Sequence, residues 1–379
     1  MSRRAVSIAA GCWLATACWL GACASPSGAT EPDAFSETLD SGSTFDAPLS
    51  IRDAGLDAIT ATADVSELDS GRRYDIDLAG TTVSGISSGG FMAVQFHVAF
   101  ASFTRGAAIF AAGPYDCSQA SVSLATTQCA YGVPPIDVAH LVSLTHSAAG
   151  AGDIDDPSAL IDDRVFLFGG AFDTVVAPTV LDALASYYGA FMPAASIEYV
   201  SRRAGTAHTW PTASYGNACA VLAPPYLGAC GYDGAGHALA SLLGSLAPAA
   251  AVPTGELRTI AQTDFTADAA SHSLDTTAYL YVPASCARRE PCRVHIAFHG
   301  CGQGARAVGD AFYAHAGLNE WADTNHLIVL YPQAIASSFA PQNPAGCWDW
   351  WGYDSPGFAS RTGPQLAMVR AMLDAIASE

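Results

Sequence analysis

The first segment whose residue types and spacing predict chemistry is residues 83–91, V-S-G-I-S-S-G-G-F. This segment contains a G-x-S-x-G box around Ser87, preceded by a β-prone run (76–83) and followed by a predicted helix (91–103). Strand, sharp turn and helix form the context of a nucleophile elbow, because the two glycines let strand and helix nearly touch while the serine hydroxyl stays exposed. Since the chain has 35 glycines, the box alone is equally compatible with a glycine-rich turn.

An activated serine needs a general base, and the base needs an acid that holds its tautomer and orientation. In α/β-hydrolases these residues follow the serine in the order Asp, His, each on a loop after a strand. Asp173 follows the predicted strand 164–168, and His208 follows the predicted strand 196–200. Each has an ordinary alternative, since Asp173 could cap the next helix and His208 is one of ten histidines. Their order downstream of Ser87 favours a catalytic triad.

The negative charge that develops on an attacked carbonyl oxygen needs preorganised backbone N–H donors. One predicted donor is the amide of Ser88, directly after the candidate nucleophile. The second normally comes from an H-G loop that precedes the serine. The only good candidate here, H-G-C-G-Q at residues 299–303, follows a predicted strand (294–298) and comes after His208. This order predicts a circularly permuted hydrolase. The alternative is that H-G-C-G is an ordinary turn and the second donor lies elsewhere.

The rest of the chain alternates short apolar runs with helical segments, which predicts an α/β fold with a mostly parallel central sheet flanked by helices. Residues 247–254 are rich in proline and alanine, but in a permuted chain they join the old termini. We therefore predict one catalytic domain at residues 73–379. The predicted strands are 107–111, 164–168, 196–200, 278–282, 294–298 and 327–331, and further helices are predicted at 179–188, 235–245, 311–323 and 364–377.

The composition limits the partners of the protein. Half of the 379 residues are hydrophobic, 13% are charged, and the formal net charge is −19. Such a chain can bury a sizeable core. Coulomb repulsion opposes binding to nucleic acid or to an anionic membrane surface, so a neutral or apolar substrate fits better.

The N-terminal region predicts export. Two arginines precede an apolar run (5–24) and then small, turn-forming residues, so residues 1–24 are predicted to be a signal peptide. L-G-A-C, ending at Cys23, resembles a bacterial lipobox, and cleavage after Ala24 is the alternative. Residues 25–72 have little apolar periodicity and are predicted to be a flexible tether. We expect a secreted protein or an outer-surface or periplasmic lipoprotein of a bacterium.

Eight of the eleven cysteines lie outside this N-terminal region, an even number that favours disulfides in an exported chain. No C-x-x-C or H-E-x-x-H pattern is present, so we expect no metal site. Sequence does not fix the connectivity. The order of the cysteines suggests neighbouring pairs: Cys117 with Cys129, Cys219 with Cys230, Cys286 with Cys292, and Cys301 with Cys347.

With its parts in this order, the chain resembles the polyhydroxybutyrate depolymerases whose catalytic domain is circularly permuted. The resemblance spans about residues 75–360 and rests on motifs that include V-S-G-I-S-S-G-G-F-M-A, G-A-F-D-T-V-V, A-H-T-W-P, F-H-G-C-G-Q and G-C-W-D-W-W-G-Y. It implies that Ser87 is the nucleophile, Asp173 the acid and His208 the base. It also implies that the amides of Ser88 and Cys301 form the oxyanion hole. A Cys301–Cys347 disulfide would link the H-G loop to the segment G-C-W-D-W-W-G-Y.

The chain departs from the family pattern at two points. T-A-H-T-W stands where the family more often has glycine before the histidine, and no threonine-rich linker or C-terminal binding domain is evident. We therefore expect the catalytic domain itself to adsorb to polymer, or the substrate to be amorphous polymer or soluble oligomers. The candidate substrate-binding residues are aromatic, and we expect at least one to be buried and at least one to line the crevice. They are Trp348, Trp350, Trp351 and Tyr353.

The resemblance implies an extracellular serine esterase that hydrolyses poly(3-hydroxybutyrate), or a related short-chain polyhydroxyalkanoate, through an acyl-enzyme. We expect a monomer that needs no cofactor. One alternative is an esterase for acylated polysaccharide, of the feruloyl or acetyl-xylan type, although such enzymes generally keep the H-G loop ahead of the serine. A second alternative is a polymer-binding surface protein without activity.

Overall fold

The computed structural model of the protein describes residues 66–67 and 73–377. The predicted signal peptide, the candidate lipidation residue Cys23 and nearly all of the predicted tether lie outside the described residues. No helix among the residues described is both long and apolar enough to cross a membrane.

A nine-stranded sheet forms the centre of the fold, in the spatial order β1-β9-β10-β12-β11-β2-β3-β4-β5. It is parallel from β12 to β5 and antiparallel where β10 pairs with β9 and β12. Strands β6, β8 and β7 form a second, small sheet. In chain order the strands are β1 Ser66–Glu67, β2 Thr81–Ile86, β3 Thr104–Phe110, β4 Arg164–Gly170, β5 Ile197–Arg203, β6 Trp210–Thr212, β7 Asn217–Ala218, β8 Leu227–Ala229, β9 Glu256–Ala261, β10 Thr277–Val282, β11 Arg293–Phe298 and β12 Leu327–Tyr331.

Helices pack on both faces of this sheet and divide the apolar core into two main clusters. Helix α1, which follows β2, is buried along its whole length. The mixed α/β architecture with a largely parallel sheet confirms the predicted fold class. The helices are α1 Ser88–Ala99, α2 Val122–Thr126, α3 Gln128–Tyr131, α4 Val138–Ala151, α5 Pro178–Tyr188, α6 Gly234–Leu243, α7 Ala284–Ala287, α8 Ala305–Val308, α9 Ala311–His315, α10 Leu318–Thr324 and α11 Pro364–Ile376.

The strand order agrees with the predicted circular permutation. Strand β11, from the C-terminal part of the chain, pairs in parallel with β2, and Phe298 lies opposite Gly85. A strand that leads into the H-G loop therefore lies beside the strand that leads into Ser87. An unpermuted hydrolase would reach the same arrangement by placing that loop earlier in the chain.

Several predicted boundaries are wrong. The run 76–83 is not one strand, because Leu78–Gly80 forms a 3-10 turn before β2 begins at Thr81. The predicted helix 91–103 begins earlier and ends earlier, at Ser88–Ala99. The predicted helix 311–323 is broken, because Gly317 adopts φ +86° between α9 and α10. Helix α4 was not predicted. Leu141 and Thr145 are its only buried residues, and its other apolar residues, such as Val142, are only partly buried against the core.

A buried histidine ties β11 to β2. His295 Nδ1 lies 2.8 Å from Thr82 Oγ1, and His295 Nε2 lies 2.7 Å from Ser84 Oγ. The side chain is inaccessible to solvent, and burial lowers its pKa from 6.5 to about 3. His295 is therefore neutral at physiological pH, and its two ring nitrogens link the two strands that lead to the candidate catalytic loops.

We expect this histidine to make folding stability depend on pH. As the pH falls below 6.5, the unfolded chain binds a proton at His295 that the folded protein does not bind, so stability falls on acidification towards pH 3. In a neutral His295→Gln variant, the pH slope of the unfolding free energy should be smaller by up to about 1.4 kcal/mol per pH unit between about pH 6 and pH 4.5. Denaturant titrations across this range measure the slope, and equal slopes for the two proteins would refute the expectation.

Candidate active site

Ser87 occupies the sharp turn between β2 and α1. Its backbone has φ 57° and ψ −125°, a strained conformation for a residue with a side chain. The Ser87 N–H donates to Phe110 O at 3.0 Å, and the Ser87 carbonyl accepts from the Phe91 N–H at 2.9 Å. These bonds fix the turn, and Ser87 remains half-exposed between two buried elements.

The glycines of the box are required by close backbone approach. A Cβ atom at Gly85 would overlap the backbone of Gly89, and a Cβ atom at Gly89 would overlap the carbonyl oxygens of Phe298 and His299. Strand β2, helix α1 and the end of β11 therefore meet at a junction with no room for side chains. The structure accounts for both glycines of the G-x-S-x-G pattern.

Asp173 and His208 are brought into direct contact. Asp173 Oδ2 lies 2.8 Å from His208 Nδ1, and both residues are more than nine-tenths buried. The other carboxylate oxygen accepts the N–H groups of Val175 at 2.9 Å and Val176 at 2.8 Å. Because Asp173 engages Nδ1, the imidazole presents Nε2 as the nitrogen that can accept a proton.

The segment that carries His208 is packed against the segment that carries Ser87. The Trp210 ring lies 4.2 Å from the ring of Phe110, whose carbonyl accepts the Ser87 N–H. Trp210 is fully buried and donates from Nε1 to Ala316 O at 2.9 Å. On the other side of the histidine, the Ala207 N–H donates to the carbonyl of Cys219, which is bonded to Cys230.

The three candidate catalytic residues share one edge of the sheet. Strands β2, β3 and β4 are parallel neighbours, so their carboxyl ends lie at the same edge. Ser87 follows β2, Asp173 follows β4, and His208 follows β5, the next strand. The carboxyl edge of a parallel sheet is where α/β proteins place their ligand sites.

The sheet register places side by side the two strands that lead to the candidate oxyanion donors. Gly85 and Phe298 are partners across β2 and β11, and Ser88 and Cys301 each lie three residues beyond that pair. Ser88 is the first residue of α1, where the backbone N–H groups have no acceptor within the helix. Its amide therefore points to the same end of the sheet as the 299–303 loop.

Within that loop, hydrogen bonds distinguish Cys301 from its neighbours. The Gly300 N–H donates to Gln303 Oε1 at 2.8 Å, the Gly302 N–H donates to Ala345 O at 2.6 Å, and the Gln303 N–H donates to Gly300 O at 3.2 Å. In the part of the chain that the structure describes, no acceptor is bonded to the Cys301 N–H. This amide is therefore available to an oxyanion.

Two buried side chains, His299 and Gln303, hold the 299–303 loop in place through hydrogen bonds. The sequence did not predict these roles. His299 Nδ1 donates to Gly300 O at 2.8 Å, and His299 Nε2 accepts the Ala334 N–H at 3.1 Å. Burial lowers the pKa of His299 to about 4, so the ring is neutral. Gln303 Nε2 donates to two carbonyls of the 225–226 segment, each at 3.1 Å. The only sequence signal for these roles was the F-H-G-C-G-Q motif.

The aromatic candidates divide into three kinds. Trp348 is fully buried against Phe298, so its assignment to substrate binding is corrected to a core role. The Tyr353 hydroxyl donates to Cys347 O at 2.8 Å and accepts from Asn343 and Gln365, so it is engaged in structure. Trp350 and Trp351 are half-exposed and remain the candidates for contact with substrate.

The disulfides follow the neighbouring pairs that the order of the cysteines suggests. One of them links the 299–303 loop to the segment 346–355, which we call the tryptophan loop. Within the described ranges, no group of three or more His, Cys, Asp or Glu residues could hold a metal ion. The bonds are Cys117–Cys129, Cys219–Cys230, Cys286–Cys292 and Cys301–Cys347.

The Asp173–His208 contact generates a testable prediction. Asp173→Asn keeps the volume of the side chain but can leave His208 in the wrong tautomer, so kcat for a soluble p-nitrophenyl ester should fall by about 10³- to 10⁴-fold. KM should change little. The control is Asp182→Asn, which removes a surface carboxylate paired with Arg202. Activity of Asp173→Asn within tenfold of the wild type, in a folded protein, would rule out this pair as part of a triad.

Comparisons with known proteins identify relatives of this chain, although no protein-family model matches it. The chain is 41% identical over 308 residues to a poly(3-hydroxybutyrate) depolymerase of Delftia acidovorans. That match covers 80% of this chain and 60% of the relative, so the chain spans less than two thirds of that protein. A polyhydroxybutyrate depolymerase of Talaromyces funiculosus is 35% identical over 320 residues, which cover 80% of this chain and 91% of the relative.

Solved structures agree with the sequence relatives. The crystal structure of PHB depolymerase from Penicillium funiculosum matches with a TM-score of 0.75 and 34% identity, covering 81% of this chain and 98% of that one. A serine-to-alanine variant of PHB depolymerase complexed with R3HB trimer matches with the same values. The chain therefore belongs to the polyhydroxybutyrate depolymerase family.

Proposed function

We propose that the protein is a serine esterase that hydrolyses poly(3-hydroxybutyrate), or a related short-chain polyhydroxyalkanoate, to oligomers and monomers. The observation that carries the proposal is the buried Asp173–His208 pair at the same sheet edge as the strained turn of Ser87. The family relatives support the polyester class of the substrate.

In this mechanism the Ser87 hydroxyl attacks the ester carbonyl carbon while His208 Nε2 accepts the hydroxyl proton. The tetrahedral oxyanion is held by the N–H groups of Ser88 and Cys301. The C–O bond to the alcohol end of the polymer breaks, and His208 returns the proton to that oxygen. Water then attacks the acyl-enzyme carbonyl carbon while His208 accepts a proton from it. The bond to Ser87 Oγ breaks, His208 returns the proton to Oγ, and the acid end is released.

Oxyanion stabilisation is expected to supply a large part of the rate. A single donor of this kind contributes about 2.7–4 kcal/mol to the transition state, because it is preorganised in a site from which water is excluded. The rigid register between β2 and β11 and the buried bonds of His299 and Gln303 supply that preorganisation.

The electrostatics suit a neutral polyester. The formal net charge of −19 neither attracts nor repels an uncharged chain, and it repels the acidic products. The R3HB trimer in the complexed relative supports the binding of several monomer units. We assign Trp350 and Trp351 to the wall of the crevice that receives these units.

Adsorption to solid polymer is assigned to exposed apolar side chains in segments that adjoin candidate site residues in the chain. Phe172 directly precedes Asp173, and Phe339 lies in the segment that leads into the tryptophan loop. Their exposed fractions are 58% and 84%. Such exposed aromatic groups beside a crevice can contact an apolar surface without blocking it.

The decisive experiment is clearing of a polyhydroxybutyrate suspension with measurement of released 3-hydroxybutyrate. Ser87→Ala should reduce the rate by at least about 10³-fold, because no nucleophile remains. The matched control Ser147→Ala removes an exposed hydroxyl of α4 and should clear like the wild type. Clearing by Ser87→Ala at the wild-type rate would refute the mechanism.

The same assay separates the alternatives. Turnover of feruloyl or acetyl-xylan esters but not of polyhydroxybutyrate would indicate an esterase for acylated polysaccharide. Adsorption of the wild type to polymer film without release of soluble product would indicate a binding protein.

We further propose that the protein is an exported monomer, anchored through Cys23 or released by cleavage after Ala24. The order of regions in residues 1–24 and the L-G-A-C sequence support this proposal. Mass spectrometry of the mature N-terminus distinguishes the two forms. A lipidated Cys23 supports the anchored form, and Cys23→Ala should then appear in the medium. An unmodified N-terminus at Ser25 would instead support the released form, and an intact Met1 would contradict export.

A further inference from the structure

A buried carboxylate organises the tryptophan loop. Asp349 is 2% exposed, and its two oxygens accept backbone N–H groups from five consecutive residues. All five donors are uncharged peptide groups. Oδ1 accepts from Trp351 at 3.3 Å, Gly352 at 2.7 Å and Tyr353 at 3.0 Å, and Oδ2 accepts from Asp354 at 3.1 Å and Ser355 at 3.3 Å.

The backbone of Asp349 is fixed to two helices. Its N–H donates to Gln365 Oε1 at 2.8 Å, on α11, and its carbonyl accepts from Gln95 Nε2 at 3.0 Å, on α1. Helix α1 begins directly after Ser87. The carboxylate that shapes the loop is therefore held at a set position relative to the candidate nucleophile.

The loop presents Trp350 and Trp351 beside the same helix. The Trp350 ring stacks on Phe91, with centroids 4.1 Å apart and planes 9° apart. Phe91 also donates its N–H to Ser87 O. Trp351 meets Trp350 edge-on at 5.4 Å. A shift of the backbone at residues 350–352 would move both rings relative to the reacting serine.

An acid is well suited to this position because every N–H group it binds requires an acceptor. Burial raises the pKa of Asp349 to about 6 against the lowering effect of the backbone donors, so the side chain is ionised at neutral pH. An asparagine would keep one acceptor oxygen, but its NH₂ group would face N–H donors at the other position. Buried donors left without a partner would force the loop to shift.

We propose that Asp349 is a positioning residue that sets the aromatic wall formed by Trp350 and Trp351, and through it the binding of successive monomer units. It acts through the loop, since its side chain is buried. This inference rests on the proposed polyester activity. It names Asp349 as the residue that determines the shape of the crevice beyond the reacting ester.

The test compares a long and a short substrate in the full-length protein. For Asp349→Asn, KM for a 3-hydroxybutyrate trimer should rise by about tenfold, while kcat and KM for p-nitrophenyl acetate stay within about twofold of the wild type. The matched control is Asp374→Asn, which removes an exposed carboxylate on α11 that pairs with Arg370 at 2.9 Å. Its trimer KM should match the wild type.

Two results would overturn the proposal. One is an unchanged trimer KM in a folded Asp349→Asn protein, and the other is an equal loss on both substrates, which indicates a general structural role. If Asp349→Asn does not fold, Gln95→Met removes the bond to the Asp349 carbonyl and must raise the trimer KM selectively. A wild type that cleaves p-nitrophenyl acetate but not the trimer would instead contradict the proposed function.

Discussion

The parallel pairing of β11 with β2 is the constraint on which the candidate site depends. The register places Phe298 opposite Gly85, so the segments that lead to Ser88 and Cys301 leave the sheet side by side. Close approach at this junction leaves no space for side chains, so glycines occupy the positions where the backbones meet. The strain at Ser87 is sustained because strand and helix on either side are buried and hydrogen-bonded.

Polar groups buried around this junction hold its geometry rather than take part in the reaction. His295 links the two strands, and His299 supports the 299–303 loop; burial keeps both rings neutral, which suits them to fixed hydrogen bonds. Gln303 and Asp349 satisfy the backbone of two loops that a disulfide joins. Each replaces bonds to water that the backbone would otherwise lose on burial. These four side chains are thus held by hydrogen bonds around the candidate site.

Features of the fold and the candidate site could be predicted where neighbouring residues in the chain carry the pattern. The G-x-S-x-G box, Asp173 and His208 were found because each follows a predicted strand, and strand ends are readable from short apolar runs. Helix α4 was missed because its buried face is small, and the break at Gly317 was missed because a left-handed glycine leaves no pattern in the flanking residues. Trp348 could not be separated from Trp350 by composition, since burial of an aromatic ring depends on what packs against it.

By itself the sequence predicted the chemistry and the permuted order. The residue types, their spacing and the late H-G loop were sufficient to predict a serine hydrolase with its oxyanion loop after the triad. Only the tertiary structure decided which groups are in contact: the 2.8 Å bond between Asp173 and His208, and the bonds from the Asp349 carboxylate to the N–H groups of its loop. These depend on sheet register and on hydrogen bonds between residues far apart in the chain. A local pattern of residues does not encode such contacts, because they arise when separate strands are brought to the same edge.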